Sequence, residues 1–343
     1  MKTRIVILGC MALFSACVTT QSITFLQPTY FPQPTYQFSE NSVSESKVYL
    51  GRVLFYDPIL SGDSSISCAS CHSSYNAFSH TDHKLSHGIR GEIGTRNAPA
   101  LFNLAWKKSF MWDGAIHQLD VQALAPINNV IEMDMSTADL VSRLQKSAFY
   151  RKLFFQAFND SVITGQHLLQ ALGAFQVTLI SDHSKYDSVQ LGTAQFTEQE
   201  AAGYQLFKQY CNSCHTEPLF TNEGFANNGL APDPQLHDAG RYRITGNPSD
   251  SLKFAIPSLR NLSYTYPYMH DGRFAQLRQV LDHYTSEKYF SATLDPSLNH
   301  AFPLSSNDKV DMIAFLLTLD DKQFVFNKAY QFPPELLPNS KTR

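Results

Sequence analysis

Two five-residue stretches decide the reading: Cys68-Ala69-Ser70-Cys71-His72 and Cys211-Asn212-Ser213-Cys214-His215. Two thiols one helical turn apart can bond the two vinyl groups of a porphyrin, and the histidine that follows then lies beneath the iron as its proximal ligand. A disulfide, a redox dithiol or half of a zinc site would also use a Cys-x-x-Cys pair. A redox dithiol expects a βαβ setting that the surrounding pattern lacks, and a four-cysteine zinc site does not call for histidine directly after both pairs. Two copies that use every cysteine beyond residue 17 leave c-type haem attachment as the reading, with two covalent haems per chain.

Outward from these motifs the chain has 343 residues, enough for two domains that each bury a core. Its 43% hydrophobic and 17% charged residues are those of a globular protein. With 27 Lys+Arg against 30 Asp+Glu there is no basic field to hold a nucleic-acid backbone, so nucleic acid is excluded as a partner. Lys2 and Arg4 precede an apolar run from Ile5 to Phe14 and then Ser15-Ala16-Cys17. That run is too short to span a bilayer and has the form of a signal peptide over residues 1–16. Small residues before Cys17 resemble a lipobox, so the mature protein is expected in the periplasm or cell envelope, held at the membrane only through a lipid on Cys17. Residues 17–40, rich in Pro, Tyr and Phe, are expected to form an extended tether.

The chain also repeats itself. Pro99-Ala100-Leu101-Phe102-Asn103-Leu104 and Phe110-Met111-Trp112-Asp113-Gly114 are echoed, at a constant offset of 158, by Pro257-Ser258-Leu259-Arg260-Asn261-Leu262 and Tyr268-Met269-His270-Asp271-Gly272. Gly51-x-x-Leu54-Phe55 is echoed by Gly203-x-x-Leu206-Phe207. A period of this length implies duplicated domains rather than a solenoid. Thr197-x-x-Glu200 and Ser305-x-x-Asp308 are capping boxes that open helices. Leu140 to Phe158 and His167 to Ile180 carry helical spacing, while Asn222 to Asp250 reads as a long loop at a haem edge. The expected fold is mainly α, two tandem cytochrome c-like domains over 41–192 and 193–335, each with one haem.

The sequence resembles the bacterial dihaem cytochrome c peroxidase and MauG family over essentially the whole mature chain. Beside the haem motifs, the resemblance rests on Gly94-Thr95-Arg96-Asn97-Ala98-Pro99, Trp112-Asp113-Gly114, Pro126 to Met133, Phe254 to Asn261 and Thr265-Tyr266-Pro267-Tyr268-Met269-His270-Asp271-Gly272. It implies a reactive first haem on His72, an electron-transferring second haem on His215 and one Ca²⁺ between them. Peroxide cleavage needs an openable iron site and a group that moves a proton between the two oxygens. The resemblance assigns that role to Glu132, with Gln122 beside it, and electron relay between the haems to Trp112. A surface carboxylate and a core aromatic are the plainer readings of Glu132 and Trp112. Asn97, Thr265 and Pro267 match the family's calcium ligands, hard oxygen donors of the kind Ca²⁺ takes.

Two axial positions stay open in the sequence. His87, followed by Gly88, stands where family members place a histidine that caps the first iron at rest, although Arg96 lies two residues beyond the usual spacing. A surface histidine on a loop is the alternative, and His80 and His83 are expected to face solvent or to be hydrogen-bonded. Fourteen residues after His270 the electron-storing peroxidases place a methionine; here stands Tyr284, as in MauG-like members. A phenolate ligand lowers a haem potential where methionine raises it. A packed helix residue, with His283 or Met269 as the ligand instead, is the alternative reading, but the register favours Tyr284. His270 and Arg260 are expected at the haem propionates or between domains. The implied activity is reduction of hydrogen peroxide with electrons from a small donor protein, a cytochrome c or a cupredoxin. The alternatives are MauG-like oxidation of a protein or organic substrate, or plain electron carriage. Monomer and homodimer both stay open.

Overall fold

The computed structural model describes residues 25–336, and is mainly helical. In chain order the helices are α1 (Glu45–Tyr56), α2 (Cys68–Cys71), α3 (Leu119–Gln122), α4 (Leu124–Asn128), α5 (Thr137–Lys146), α6 (Ala148–Phe158), α7 (Gly165–Val177), α8 (Lys185–Gln190), α9 (Glu198–Tyr210), α10 (Tyr242–Thr245), α11 (Leu277–Thr285), α12 (Ser306–Leu317) and α13 (Lys322–Val325). Among the described residues the only sheet is a two-residue antiparallel pair, Phe225–Ala226 with Phe254–Ala255. Both capping boxes form: Thr197 accepts from the Glu200 N–H while Glu200 accepts from the Thr197 N–H, and Ser305 and Asp308 do the same at α12.

The Gly-x-x-Leu-Phe repeat has a packing reason. A Cβ on Gly51 would lie 1.9 Å from the Ala171 carbonyl oxygen, and a Cβ on Gly203 would lie 1.9 Å from that of Asp311. Each glycine thus lets two helix backbones touch, α1 against α7 and α9 against α12. The phenylalanine one turn on completes each crossing, Phe55 on Phe175 with ring centroids 5.4 Å apart and Phe207 on Phe315 at 5.1 Å. The two crossings seed two buried clusters, one around Leu50, Leu54, Phe55 and Phe175, the other around Phe207, Phe220, Phe315 and Leu319. The chain crosses between them: Tyr186 joins the second cluster, and Phe324, Val325 and Leu336 return to the first.

Three segments differ from the sequence expectation. The helix expected over 140–158 is two helices, broken at Ser147, whose extended backbone lets its hydroxyl accept from the Tyr150 N–H and cap α6. Within 222–250, expected as a loop throughout, α10 and one strand form. The described part of the expected tether, residues 25–40, is irregular but packed. Phe31 is buried with its ring edge on Trp106, Trp106 Nε1 donates to the Pro32 carbonyl at 2.7 Å, and Thr35 and Tyr36 donate to Ala105. Burying each such aromatic is worth about 1.5–3 kcal/mol, which offsets part of the entropy cost of ordering the segment. Cys17 and the expected signal peptide lie outside the described residues.

Tyr30 reaches a buried charge pair. Its hydroxyl donates to Asp187, whose carboxylate also takes both Arg260 Nη atoms, at 2.7 and 2.9 Å. Arg260 is fully buried between the Phe31 and Phe220 rings, and its Nε and Nη2 donate to the Pro218 carbonyl. The guanidinium is therefore committed to protein acceptors, chiefly Asp187, 73 residues away in sequence and in the other expected domain, while Arg260 also lines the cavity that the second motif borders. Arg260→Ala is expected to lower stability by about 3–5 kcal/mol, since it strands a buried carboxylate. Denaturant unfolding of the two proteins checks this; a loss under 1 kcal/mol would show that water reaches the pair.

Candidate active site

At the first motif, Ser67 and Ser70 form a capping box that opens α2, one turn of helix that sets Cys68 and Cys71 on successive ends. Ala77 and Phe78 then take left-handed backbone angles, φ 49° and 58°, and turn the chain back so that the Phe78 carbonyl meets His72 Nδ1 at 2.9 Å. At the second motif His215 Nδ1 lies 3.0 Å from the Pro257 carbonyl and 3.2 Å from that of Phe220. A carbonyl can only accept, so both imidazoles carry their proton on Nδ1 and keep the lone pair on Nε2, the atom a metal would take. Burial pushes both histidines down to about 4, hence neutral at physiological pH. All four cysteines are free thiols, and burial lifts Cys68 and Cys211 to about 12. Paired free thiols beside an oriented neutral imidazole are the donor set that a covalent haem requires.

The first motif is met by the segment that carries His87 and Glu132. The His87 carbonyl accepts from Cys71 Sγ at 3.4 Å, and the Ile89 N–H donates to the Glu132 carbonyl at 2.9 Å. Gly88 allows this approach, because a Cβ there would lie 1.7 Å from the Ile131 oxygen. Cys71 feels the Glu132 charge, which helps burial to raise its thiol. Glu132 is itself part-buried, and burial raises its carboxyl above the ordinary range while a 2.7 Å hydrogen bond from Asn129 Nδ2 to Oε1 opposes the shift. That bond fixes the carboxyl plane and leaves Oε2 for a proton. The His87 ring stacks on His83 with centroids 4.0 Å apart. Gln122, at the end of α3, lines the cavity described next.

A cavity of about 300 Å³ runs from Gln122 and Trp112 to Cys211, Cys214, His215 and Tyr284. Trp112 Nε1 donates to the Asn97 carbonyl at 2.9 Å, and the Trp112 carbonyl accepts from the Ala255 N–H, so its indole is held between the two halves of the repeat. Asn97, Thr265 and Pro267 line the same cavity. Asn97 is buried and spends its Nδ2 on the Lys84 carbonyl, which leaves the hard Oδ1 donor that Ca²⁺ accepts. On α11, Tyr284 faces the cavity and His283 does not: His283 Nε2 is taken by the Asn228 carbonyl at 3.0 Å. Met269 also lines the cavity, its sulfur bonded by Asn228 Nδ2. Burial pushes the Tyr284 phenol up to about 12, against a hydrogen bond with Asn228.

Two contacts escape any local sequence reading. Arg96 donates to Asp113 at 2.6 Å and clasps both oxygens of Asp238 at 2.6 and 2.9 Å, which pins the residue after Trp112 to the 222–250 segment. His270 lies flat on Phe254 with centroids 3.6 Å apart, inside the cavity wall.

Residues 45–195 match the family model described as di-haem cytochrome c peroxidase. The chain is 36% identical over 303 residues to the methylamine utilization protein MauG of Methylophilus methylotrophus, covering 86% of this chain and 88% of that one. The chain belongs to the di-haem cytochrome c peroxidase family. It is 34% identical over 280 residues to the cytochrome c551 peroxidase of Nitrosomonas europaea, covering 80% of each. A solved MauG-like protein associated with microbial copper homeostasis superposes with a TM-score of 0.84 at 33% identity, over 91% of this chain and 99% of that one. Membership makes the chain a haem peroxidase oxidoreductase and implies two c-type haems. Relatives carry both names, peroxidase and MauG.

Proposed function

We propose that the chain is an exported enzyme of two haem domains, 41–192 and 193–335, that reduces hydrogen peroxide to water with electrons from a small donor protein, a cytochrome c or cupredoxin. Two electrons and two protons convert one peroxide to two waters. The observation that carries this reading is a part-buried carboxyl, Glu132, beside the first haem motif. His72 would hold the first haem, which when bound would supply the iron chemistry for cleaving a peroxide O–O bond. Glu132 Oε2 takes the proton of the inner peroxide oxygen and returns it to the outer one, with Gln122 positioning the oxygens. Asn129 keeps Oε1 occupied and the carboxyl aimed. Trp112 would relay electrons from the haem that His215 would hold, Asn97, Thr265 and Pro267 would hold one Ca²⁺, and His87 would serve as the resting ligand of the first iron. The Ser15-Ala16-Cys17 pattern supports a lipid anchor and a place in the periplasm or cell envelope, and the mature protein works as a monomer or homodimer.

Tyr284 favours a second reading, MauG-like oxidation of a protein or organic substrate, because its phenol and not His283 faces the second haem cavity. Tyr284→Met separates the two. If the phenolate is the axial ligand, the substitution raises the second haem's potential and makes peroxide turnover depend on prior one-electron reduction. Redox-titrated absorption of both proteins, assayed as isolated and half-reduced, checks this. An unchanged second-haem potential would remove Tyr284 from the ligand set and leave the donor-driven peroxidase reading.

A further inference from the structure

Two side chains able to bind the second iron, Tyr284 and Met269, line one cavity, and a single amide touches both. Asn228 Nδ2 lies 3.5 Å from Met269 Sδ, and the same side chain hydrogen-bonds the Tyr284 phenol. The other end of the amide sets its orientation. Asn228 Oδ1 accepts from the Leu230 N–H at 3.2 Å, and because a backbone N–H can only donate, the oxygen stays there and Nδ2 turns to the cavity. We propose that Asn228 is a positioning residue that sets the potential of the second haem, by donating a hydrogen bond to the Tyr284 oxygen that would bind its iron. The proposal rests on the reading of Tyr284 as that ligand.

The backbone around Asn228 is pinned on both sides. From α11, His283 Nε2 donates to the Asn228 carbonyl at 3.0 Å, and Tyr284 is the next residue on that helix. Beyond it, Gly229 takes φ 72°, its N–H donates to Asn227 Oδ1 at 2.9 Å, and its carbonyl accepts from the Tyr289 N–H at 2.9 Å. A Cβ on Gly229 would lie 2.6 Å from Lys288 Cβ, so the turn is close-packed as well as bonded. A donor held on such a frame meets the ligand oxygen with little freedom left to lose. An N–H aimed at a phenolate oxygen draws electron density from it. The bond is stronger when the iron is reduced, because more negative charge then stays on the oxygen, so it favours the reduced state and raises the potential. The remaining N–H is spent on the Met269 sulfur, a weak acceptor, which ties up the competing thioether.

The test is potentiometric titration of the haem-loaded, full-length protein, read by the absorption of the second haem, on the wild type, Asn228→Ser, Asn228→Leu and Tyr284→Met. Serine keeps a side-chain oxygen for the Leu230 N–H, and so keeps the turn, but presents no N–H to the phenol; leucine keeps neither. Both Asn228 variants should lower the potential, raising the ratio of oxidised to reduced second haem at a fixed poise by about three- to tenfold, the scale of one hydrogen bond to a charged group. The phenolate-to-iron charge-transfer band should move to longer wavelength in both. In the Tyr284→Met background, Asn228→Leu should leave the ratio within about twofold. If Tyr284→Met raises the potential but neither Asn228 variant changes it, Tyr284 is the ligand and Asn228 does not tune it. A shift in the leucine variant alone would reduce Asn228 to a support of the turn. A higher potential in either Asn228 variant would mean that the freed Met269 sulfur has taken the iron, and would overturn the assignment. An unchanged potential in Tyr284→Met removes the ligand reading itself, and the proposal with it.

Discussion

Glu132→Gln is expected to lower peroxide turnover by about 10²–10⁴-fold, the usual worth of a positioned acid-base group. Glutamine keeps the volume of the side chain and an oxygen that can still accept from Asn129 Nδ2, so the fold around Gly88 and Ile89 is untouched. What is lost is a group that can hold and release a proton. Burial makes the native carboxyl a weaker acid than a surface glutamate, which suits it to give the proton back as well as to take it. Turnover measured at saturating donor, with haem content measured alongside, reads the effect. Unaltered turnover with intact haems would move the proton transfer to another residue.

Removing either thiol pair has a larger and unequal effect. Cys68→Ser/Cys71→Ser should leave one haem per chain and no peroxide turnover, because Glu132 then faces no iron. Cys211→Ser/Cys214→Ser should also leave one haem, but its main consequence is on folding. The second motif borders an apolar cavity of about 300 Å³ that the porphyrin would fill. At about 24 cal/mol per Å³, leaving that space empty costs on the order of 7 kcal/mol, an upper figure because the cavity opens to solvent. This is comparable with the whole stability of a domain, about 5–15 kcal/mol. The second double variant is therefore expected to melt far below the first in a thermal unfolding scan. Equal melting temperatures would mean that the cavity collapses around the missing group.

The helices announced by polar caps were legible because capping is local: Thr197 with Glu200 and Ser305 with Asp308 need only three residues to be recognised. The break at Ser147 was not, since apolar spacing runs straight through it and serine is tolerated inside helices as well as at their caps. The Gly51 and Gly203 repeats were visible as letters, but their meaning, two backbone contacts at helix crossings, depends on α7 and α12, more than a hundred residues away in sequence. Residues 25–40 have no periodicity, so composition suggested a tether while Phe31 and Tyr30 found partners at Trp106 and Asp187. The site divides in the same way. The haem motifs, with their adjacent thiols and imidazole, could be read from five residues each. The clasp of Arg96 on Asp238 and the choice between Tyr284 and His283 rest on long-range placement that no local pattern encodes.

The central claim, a chain that binds one covalent haem at each of two oriented histidines, is tested most directly by a pyridine haemochrome assay on the purified full-length protein. Two c-type haems per chain, reduced to one by either double cysteine substitution, is the expected result; one haem per wild-type chain would contradict it.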